Sequence, residues 1–256
     1  MRADHAAFGV RAAAAAQVFV DDPAAARPAD ADLHHLSRVL RLRAGEEVVA
    51  SDGAGRWART RWAGGETLEP VSGLPGPGGD GAVQFEEASE PRLTVAFAPT
   101  KGERPEWVVQ KLTELGVDRI VPLISERSVI RWAGERGAGA VERLRRVARE
   151  AAAQSRRVWL PDVGAVTKFA DLAGLAGVGG PGSVVLAQLS GDRPSAAHRV
   201  VAVGPEGGWS ADELAAGLPT VGFGLSVLRA ETAAVMAGAL MVSLRTGTVA
   251  PVGEST

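Results

Sequence analysis

The residues best suited to chemistry lie in two glycine-marked turns in the last third of the chain. The first, Gly204-Pro205-Glu206-Gly207-Gly208, follows the apolar run Val200-Val201-Ala202-Val203. The second begins at Gly224 and runs through Leu225-Ser226-Val227-Leu228-Arg229-Ala230-Glu231 into a helix of small residues. A strand ending in a glycine turn that opens a helix brings backbone polar groups close to a small ligand. No Gly-Lys-Ser/Thr follows the first turn, so it is not a P-loop, and its glycines lack the dinucleotide spacing. Glu206 inside the turn would repel a phosphate. Ser210-Ala211-Asp212-Glu213 reads as a capping box that already occupies the amides of the next helix. These features favour a neutral or cationic ligand over a polyphosphate. On spacing alone, a tight structural turn is the favoured reading. In the second turn, Gly224 permits close backbone approach, and Leu225, Val227 and Leu228 offer apolar walls to a flat ring. Arg229 and Glu231 stand at the entrance to the last helix, where such a pair also reads as a helix-end ion pair.

The elements that must hold these turns follow a βα pattern from Arg92 onward. Strands are expected at Leu93–Ala98, Arg119–Ile124, Ser183–Leu189, Arg199–Val203 and Val221–Val227. Helices are expected at Pro105–Leu115, with Gly116 as the stop, and at Val141–Ser155. This alternation predicts an α/β domain with a mostly parallel sheet. The last helix, Glu231–Leu244, is apolar nearly all round and needs cover on more than one side, which a partner subunit would supply.

Residues 1–72 read mostly as β, with strands near Gln17–Val20, Glu47–Ala50, Arg56–Trp62 and Thr67–Val71. A hairpin is expected at Asp52-Gly53-Ala54-Gly55, and one helix at Ala31–Leu40 with Asp30 as its N-cap. Residues 73–91, rich in Gly and Pro, are expected to be a linker between domains 1–72 and 92–256.

The chain has 256 residues, 46% of them hydrophobic, which is enough for a substantial core. It has no Cys and only four His, so disulfides, thiolate metal sites and a histidine-rich metal centre are not expected. No apolar window is long enough to span a bilayer. Asp4, His5 and Arg11 interrupt any leader-like apolar region, so a cytoplasmic protein is expected. Net charge is −2, yet Ser125–Leu160 carries nine Arg against four Glu. Such a local excess binds phosphates or simply forms a solvated helix face.

Leu228-Arg229-Ala230-Glu231-Thr232-Ala233, with the Gly204–Gly208 turn, resembles the signature of the RsmE family, the 16S rRNA uracil-N3 methyltransferases of the SPOUT class. Lys101-Gly102-Glu103-Arg104 followed by Gln110–Val117 agrees with it, as does Glu150–Arg157 before Pro161. His35-Leu36-Ser37-Arg38-Val39-Leu40-Arg41 is similar to the family's PUA-like RNA-binding domain. The resemblance runs in order over almost the whole chain. It implies an N-terminal PUA-like β-barrel, a C-terminal domain with a deep trefoil knot, a homodimer, and S-adenosylmethionine as methyl donor to N3 of a uridine in small-subunit rRNA.

The implied donor-binding residues are Leu186, Gly204, Pro205, Glu206, Gly207, Gly208, Gly224, Leu225, Val227, Leu228, Arg229, Thr232 and Ala233, with the loop after Leu186 to Leu189 alongside. Arg229 and Glu231 are the expected catalytic pair: a cation for the developing uracil anion, and a carboxylate that orients it or assists proton removal. Arg38, Arg41, Arg143, Arg146, Arg156 and Arg157 are the candidate RNA contacts. Ser226 departs from the family's usual Arg, and Arg156 stands where Gly is common. A non-catalytic rRNA-binding or assembly factor, and a SPOUT enzyme acting on a ribose hydroxyl or a tRNA base, are the competing readings.

Overall fold

The structure is a computed structural model that describes residues 2–64, 67–71, 83–179 and 183–250. It divides into two compact units: Met1–Ala88 with Ala152–Leu160, and Ser89–Ala151 with Pro161–Thr256.

The first unit opens with α1 (Arg2–Ala13), where the sequence suggested no helix. Alanine dominates this stretch, and alanine forms helix at the lowest cost of any residue. Charges scattered through it hide the apolar periodicity. Strand β1 (Ala16–Phe19) pairs in parallel with β2 (Glu47–Ser51), which turns at Asp52–Gly55 into antiparallel β3 (Arg56–Trp62). β4 (Leu68–Pro70) and β5 (Gln84–Phe85) both pair with β3. Gln84–Phe85 is therefore a strand, although its sequence neighbourhood reads as aperiodic; the glycines and prolines at 73–81 lie outside the described residues. Helix α2 (Asp30–His34) continues as a π-turn over His35–Val39. Its N-cap is Ala29, without a side-chain cap, so Asp30 falls in the first turn instead of capping it. Val18, Leu36, Val48, Ala50, Trp62 and Leu68 pack together on one side of the sheet.

The chain segment Arg156–Leu160 closes this unit. The Arg156 guanidinium donates to the carbonyls of Ala14 (2.9 Å), Ala15 (3.2 Å) and Ala153 (2.9 Å). The Arg156 carbonyl accepts from Arg11 Nε at 3.1 Å. Arg11 is itself buried, pairs with Glu86 and lies 5.2 Å from the Trp57 ring centroid. Burial pulls its pKa down to about 10.

The second unit is built on a parallel sheet. Its path runs β12 (Thr220–Val221), β10 (Val184–Asp192), β11 (Val200–Val203), β6 (Thr94–Phe97), β7 (Arg119–Ile124), β8 (Asp162–Val163), and β9 (Thr167–Lys168) also pairs with β7. Side chains alternate between two apolar layers. Val95, Phe97, Ile120, Val201 and Val203 pack on α3 (Arg104–Leu115), α4 (Gly134–Gln154) and α6 (Ala230–Arg245). Ala96, Val121, Leu123, Leu186 and Ala202 pack on Leu172 and Trp209. Burial of both faces explains why these strands read as unbroken apolar runs.

Gly116 ends α3 with φ +98°, a left-handed cap. Strand β12 stops at Val221, well short of the expected Val227. A Cβ at Gly222 would lie 2.9 Å from the Gly191 carbonyl, and Gly224 has φ +128°, so the chain leaves the sheet there.

Candidate active site

Strands β10, β11 and β12 are parallel neighbours, so their carboxyl ends meet at one edge of the sheet, the edge where ligands bind in open α/β folds. The loops leaving them enclose a cavity of about 200 Å³. Ala187, Gln188 and Leu189 line it from β10, Val203 to Glu206 with Gly208 and Trp209 from β11, and Phe223, Gly224, Ser226, Val227 and Leu228 from the segment after β12. Ala230 and Ala233 form its floor at the start of α6.

The first glycine turn is fixed from several directions. Gly208, at φ +67°, donates to the Pro205 carbonyl at 2.8 Å. A Cβ on Gly204 would stand 3.1 Å from the Trp209 indole, which in turn donates from Nε1 to the Ala187 carbonyl at 3.0 Å. That bond ties the end of β10 to the turn after β11. Ser210 and Glu213 form the expected capping box at the start of helix α5 (Ala211–Ala215). The buried Glu213 carboxylate also accepts from the Glu126 amide at 2.9 Å, and Arg127 Nη1 donates to the Gly207 carbonyl at 3.0 Å. The loop after β7 thus braces the same turn.

The lining has one charged side chain, Glu206, and no Lys or Arg. Apolar walls from Leu189, Phe223, Val227 and Leu228 suit a flat ring, and the carboxylate suits a cation. This donor set fits an adenosine joined to a sulfonium and does not fit a polyphosphate.

Of the expected donor-binding residues, Gly204, Pro205, Glu206, Gly208, Gly224, Val227, Leu228 and Ala233 come together around the cavity. Leu186 does not: it is fully buried and packs into the layer with Trp209. Gly207, Leu225, Arg229 and Thr232 sit beside the cavity in sequence without lining it. Trp209, Phe223 and Ala230 line it without being read from sequence; the proximity of Trp209 to the first turn was the available signal. Arg229 is exposed at the N-cap position of α6 and makes no side-chain cap. Glu231, in the first turn of α6, is 13% exposed and faces Arg104 of α3 at 3.6 Å rather than Arg229.

The candidate RNA contacts differ in their engagement. Arg38, Arg41 and Arg146 are exposed. Arg143 pairs with Glu106 across α4 and α3. Arg157 is half-buried, and its carbonyl accepts from Gln17. Arg156 has its guanidinium bound to backbone carbonyls, as described above. Arg156 also has φ +60°, which accounts for the residue type expected at that position. Among the described residues no group of His, Asp and Glu could hold a metal ion, and no helix is long and apolar enough to cross a membrane.

Residues 87–242 match the RNA methyltransferase domain family, and residues 28–61 match the RNA methyltransferase PUA domain. A protein of Synechocystis sp. named ribosomal RNA small subunit methyltransferase E is 33% identical over 230 residues, covering 81% of this chain and 69% of its own length. The protein of the same name from Mycobacterium tuberculosis is 34% identical over 220 residues, covering 79% and 80%. The crystal structure of the Neisseria gonorrhoeae protein of that name, bound to S-adenosyl methionine, superposes with a TM-score of 0.72 at 27% identity, over 90% of this chain and 97% of that one. With a cavity of matching chemistry at the carboxyl edge of its parallel sheet, this chain belongs to the ribosomal RNA small subunit methyltransferase E family.

Proposed function

We propose that this protein methylates N3 of a uridine in small-subunit ribosomal RNA, with S-adenosylmethionine as donor. The observation that carries the reading is the cavity of β10, β11 and β12, apolar with a single carboxylate, in a chain of this family. Gly204–Gly208 and Gly224–Leu228 would hold the donor. The donor supplies a methyl carbon on a cationic sulfur, which the Glu206 carboxylate tolerates.

The chain's own groups then act on the base. Uracil N3 must lose its proton before or during transfer, and charge develops on the ring carbonyls. Arg229, exposed beside the cavity, supplies a cation for that charge, and Glu231 is the nearest carboxylate on the same helix. Residues 1–72 and the basic helix α4 hold the RNA through its phosphates, with the exposed Arg38, Arg41 and Arg146 and also Arg143 and Arg157 as contacts. Arg156 is less suited to do so, because both its terminal nitrogens donate to carbonyls within its own unit.

Further features of this reading rest on topology and exposure. Strand β11 enters the sheet between β6 and β10, both of which precede it in the chain, an order compatible with a trefoil knot around the second glycine turn. Leu225 and Val227 are almost wholly exposed, and Met236 of α6 is partly so. Solvent-facing apolar side chains beside a ligand cavity support a homodimer built over this edge. Action on ribosomal RNA places the protein in the cytoplasm.

Arg229→Ala is the direct test. Calorimetry is expected to show donor affinity within about two-fold of wild type, while transfer to unmodified small subunits falls by about 100-fold or more. Unchanged turnover would remove Arg229 from the mechanism. Leu225→Asp with Val227→Asp is expected to give a monomer in sedimentation experiments, and a dimer that survives both changes would contradict the assembly.

A further inference from the structure

Arg104 opens α3, and its guanidinium lies between two carboxylates. Nη1 is 3.9 Å from Glu206 in the first glycine turn, and Nε is 3.6 Å from Glu231 at the start of α6. Neither separation is a hydrogen bond, so the guanidinium acts on both groups through charge and keeps donors free. Arg104 and Glu206 are about half exposed, whereas Glu231 is 13% exposed. The Glu231 Oε2 atom is buried and has no hydrogen-bond partner among the described residues. Buried polar atoms in native proteins almost always find a partner, and an ionised carboxylate oxygen is the costliest to leave without one. The arrangement therefore calls for a donor that the described residues do not provide.

Uracil in RNA is attached through N1, so N3–H is its one ring donor, flanked by two carbonyl acceptors. A carboxylate opposite N3, with a cation beside it, reads that edge. Cytosine lacks the N3 proton at neutral pH, and 3-methyluridine has lost it.

We propose that Arg104 is a positioning residue for the reaction: its charge holds the Glu231 carboxylate in place to accept the N3 proton of the target uracil. The proposal rests on the function given above. In the step, the N3–H bond breaks and the proton passes to the Glu231 carboxylate. The electron pair left on nitrogen forms the bond to the methyl carbon, as the carbon–sulfur pair returns to sulfur. The same contact selects uridine before methylation and releases 3-methyluridine after it.

Three measurements on full-length protein test this, using small ribosomal subunits with and without the methyl group as probes. Wild type is expected to bind unmethylated subunits about ten-fold more tightly than methylated ones, the size of a hydrogen bond to a charged group. Arg104→Ala and Glu231→Ala are each expected to abolish that preference. Arg104→Ala is expected to lower kcat about 100-fold with donor affinity by calorimetry unchanged. Arg104→Lys should restore most of it, and the double variant should be no slower than Glu231→Ala alone. A full kcat and an intact preference in Arg104→Ala would overturn the role of Arg104. A fall in donor affinity matching the fall in kcat would overturn it too, assigning the carboxylates to the donor's ammonium group. Wild type that binds the donor but forms no 3-methyluridine would refute the function itself, a result the Arg104 variants cannot mimic.

Discussion

Arg156 shows how one side chain can be read correctly as an anomaly while its structural engagement stays hidden. An Arg in place of Gly raises the question of backbone angle, and φ +60° answers it. The left-handed region costs a residue with a Cβ about 1–2 kcal/mol. Here that cost is offset by bonds from its guanidinium to the carbonyls of Ala14, Ala15 and Ala153. The same bonds remove it from the RNA contacts that a bare count of arginines suggests. Arg156→Ala keeps the strain and loses the bonds, whereas Arg156→Gly loses the bonds and sheds the strain. Urea unfolding should therefore rank Gly above Ala by about 1 kcal/mol; the reverse order would show that the backbone there is unstrained. Arg104 illustrates the opposite case. Its sequence neighbourhood marks a helix start, but only the fold brings it opposite Glu231, more than a hundred residues later. Pairing of Arg229 with Glu231, suggested by their spacing, gives way to this long-range contact.

At the scale of elements, legibility followed burial. β6, β7, β11 and α3 were readable because each buries whole faces or a regular stripe, which fixes the residue pattern. β12 was not, since its two residues are too few to carry a pattern and a glycine contact ends it. Helix α1 was missed because alanine carries helix propensity without apolar contrast. Contacts between elements were invisible as well. Gly238 of α6 permits close approach to α3, where a Cβ would lie 2.5 Å from Leu112 Cδ2. The buried pair of Asp118 and Arg245 locks the end of α6 to the carbonyl of Gly116 at 2.9 Å.

The loop from β10 to β11 carries a pH-sensitive element. His198 Nδ1 accepts from the Ser195 amide at 3.2 Å, which only the neutral ring can do. Burial lowers its pKa from the ordinary 6.5, with Asp192 opposing in part. Below pH 6.5 the unfolded ring takes up a proton that the folded ring resists. The contribution is thus complete above 6.5 and is lost as pH falls through the folded pKa. Melting temperatures of wild type should drop more steeply between pH 7 and pH 5 than those of His198→Gln; parallel curves would show that His198 is not responsible.

For the molecule as a whole, the two glycine turns and their place after parallel strands were legible in the chain, and so was the sign of charge the cavity would accept. Of its walls, Val227 and Leu228 were legible too, but Trp209 and Phe223 were not, because they reach it only through the order in which β10, β11 and β12 lie side by side. In the proposed function, one unit and the basic helix engage RNA phosphates, and the carboxyl edge of the parallel sheet does the chemistry. The most direct test is to incubate the purified protein with S-adenosylmethionine and unmodified small ribosomal subunits, then map the rRNA by mass spectrometry. A single new methyl group on N3 of one uridine is the result predicted. No methyl group, or one on a ribose hydroxyl or a different base, would contradict the account.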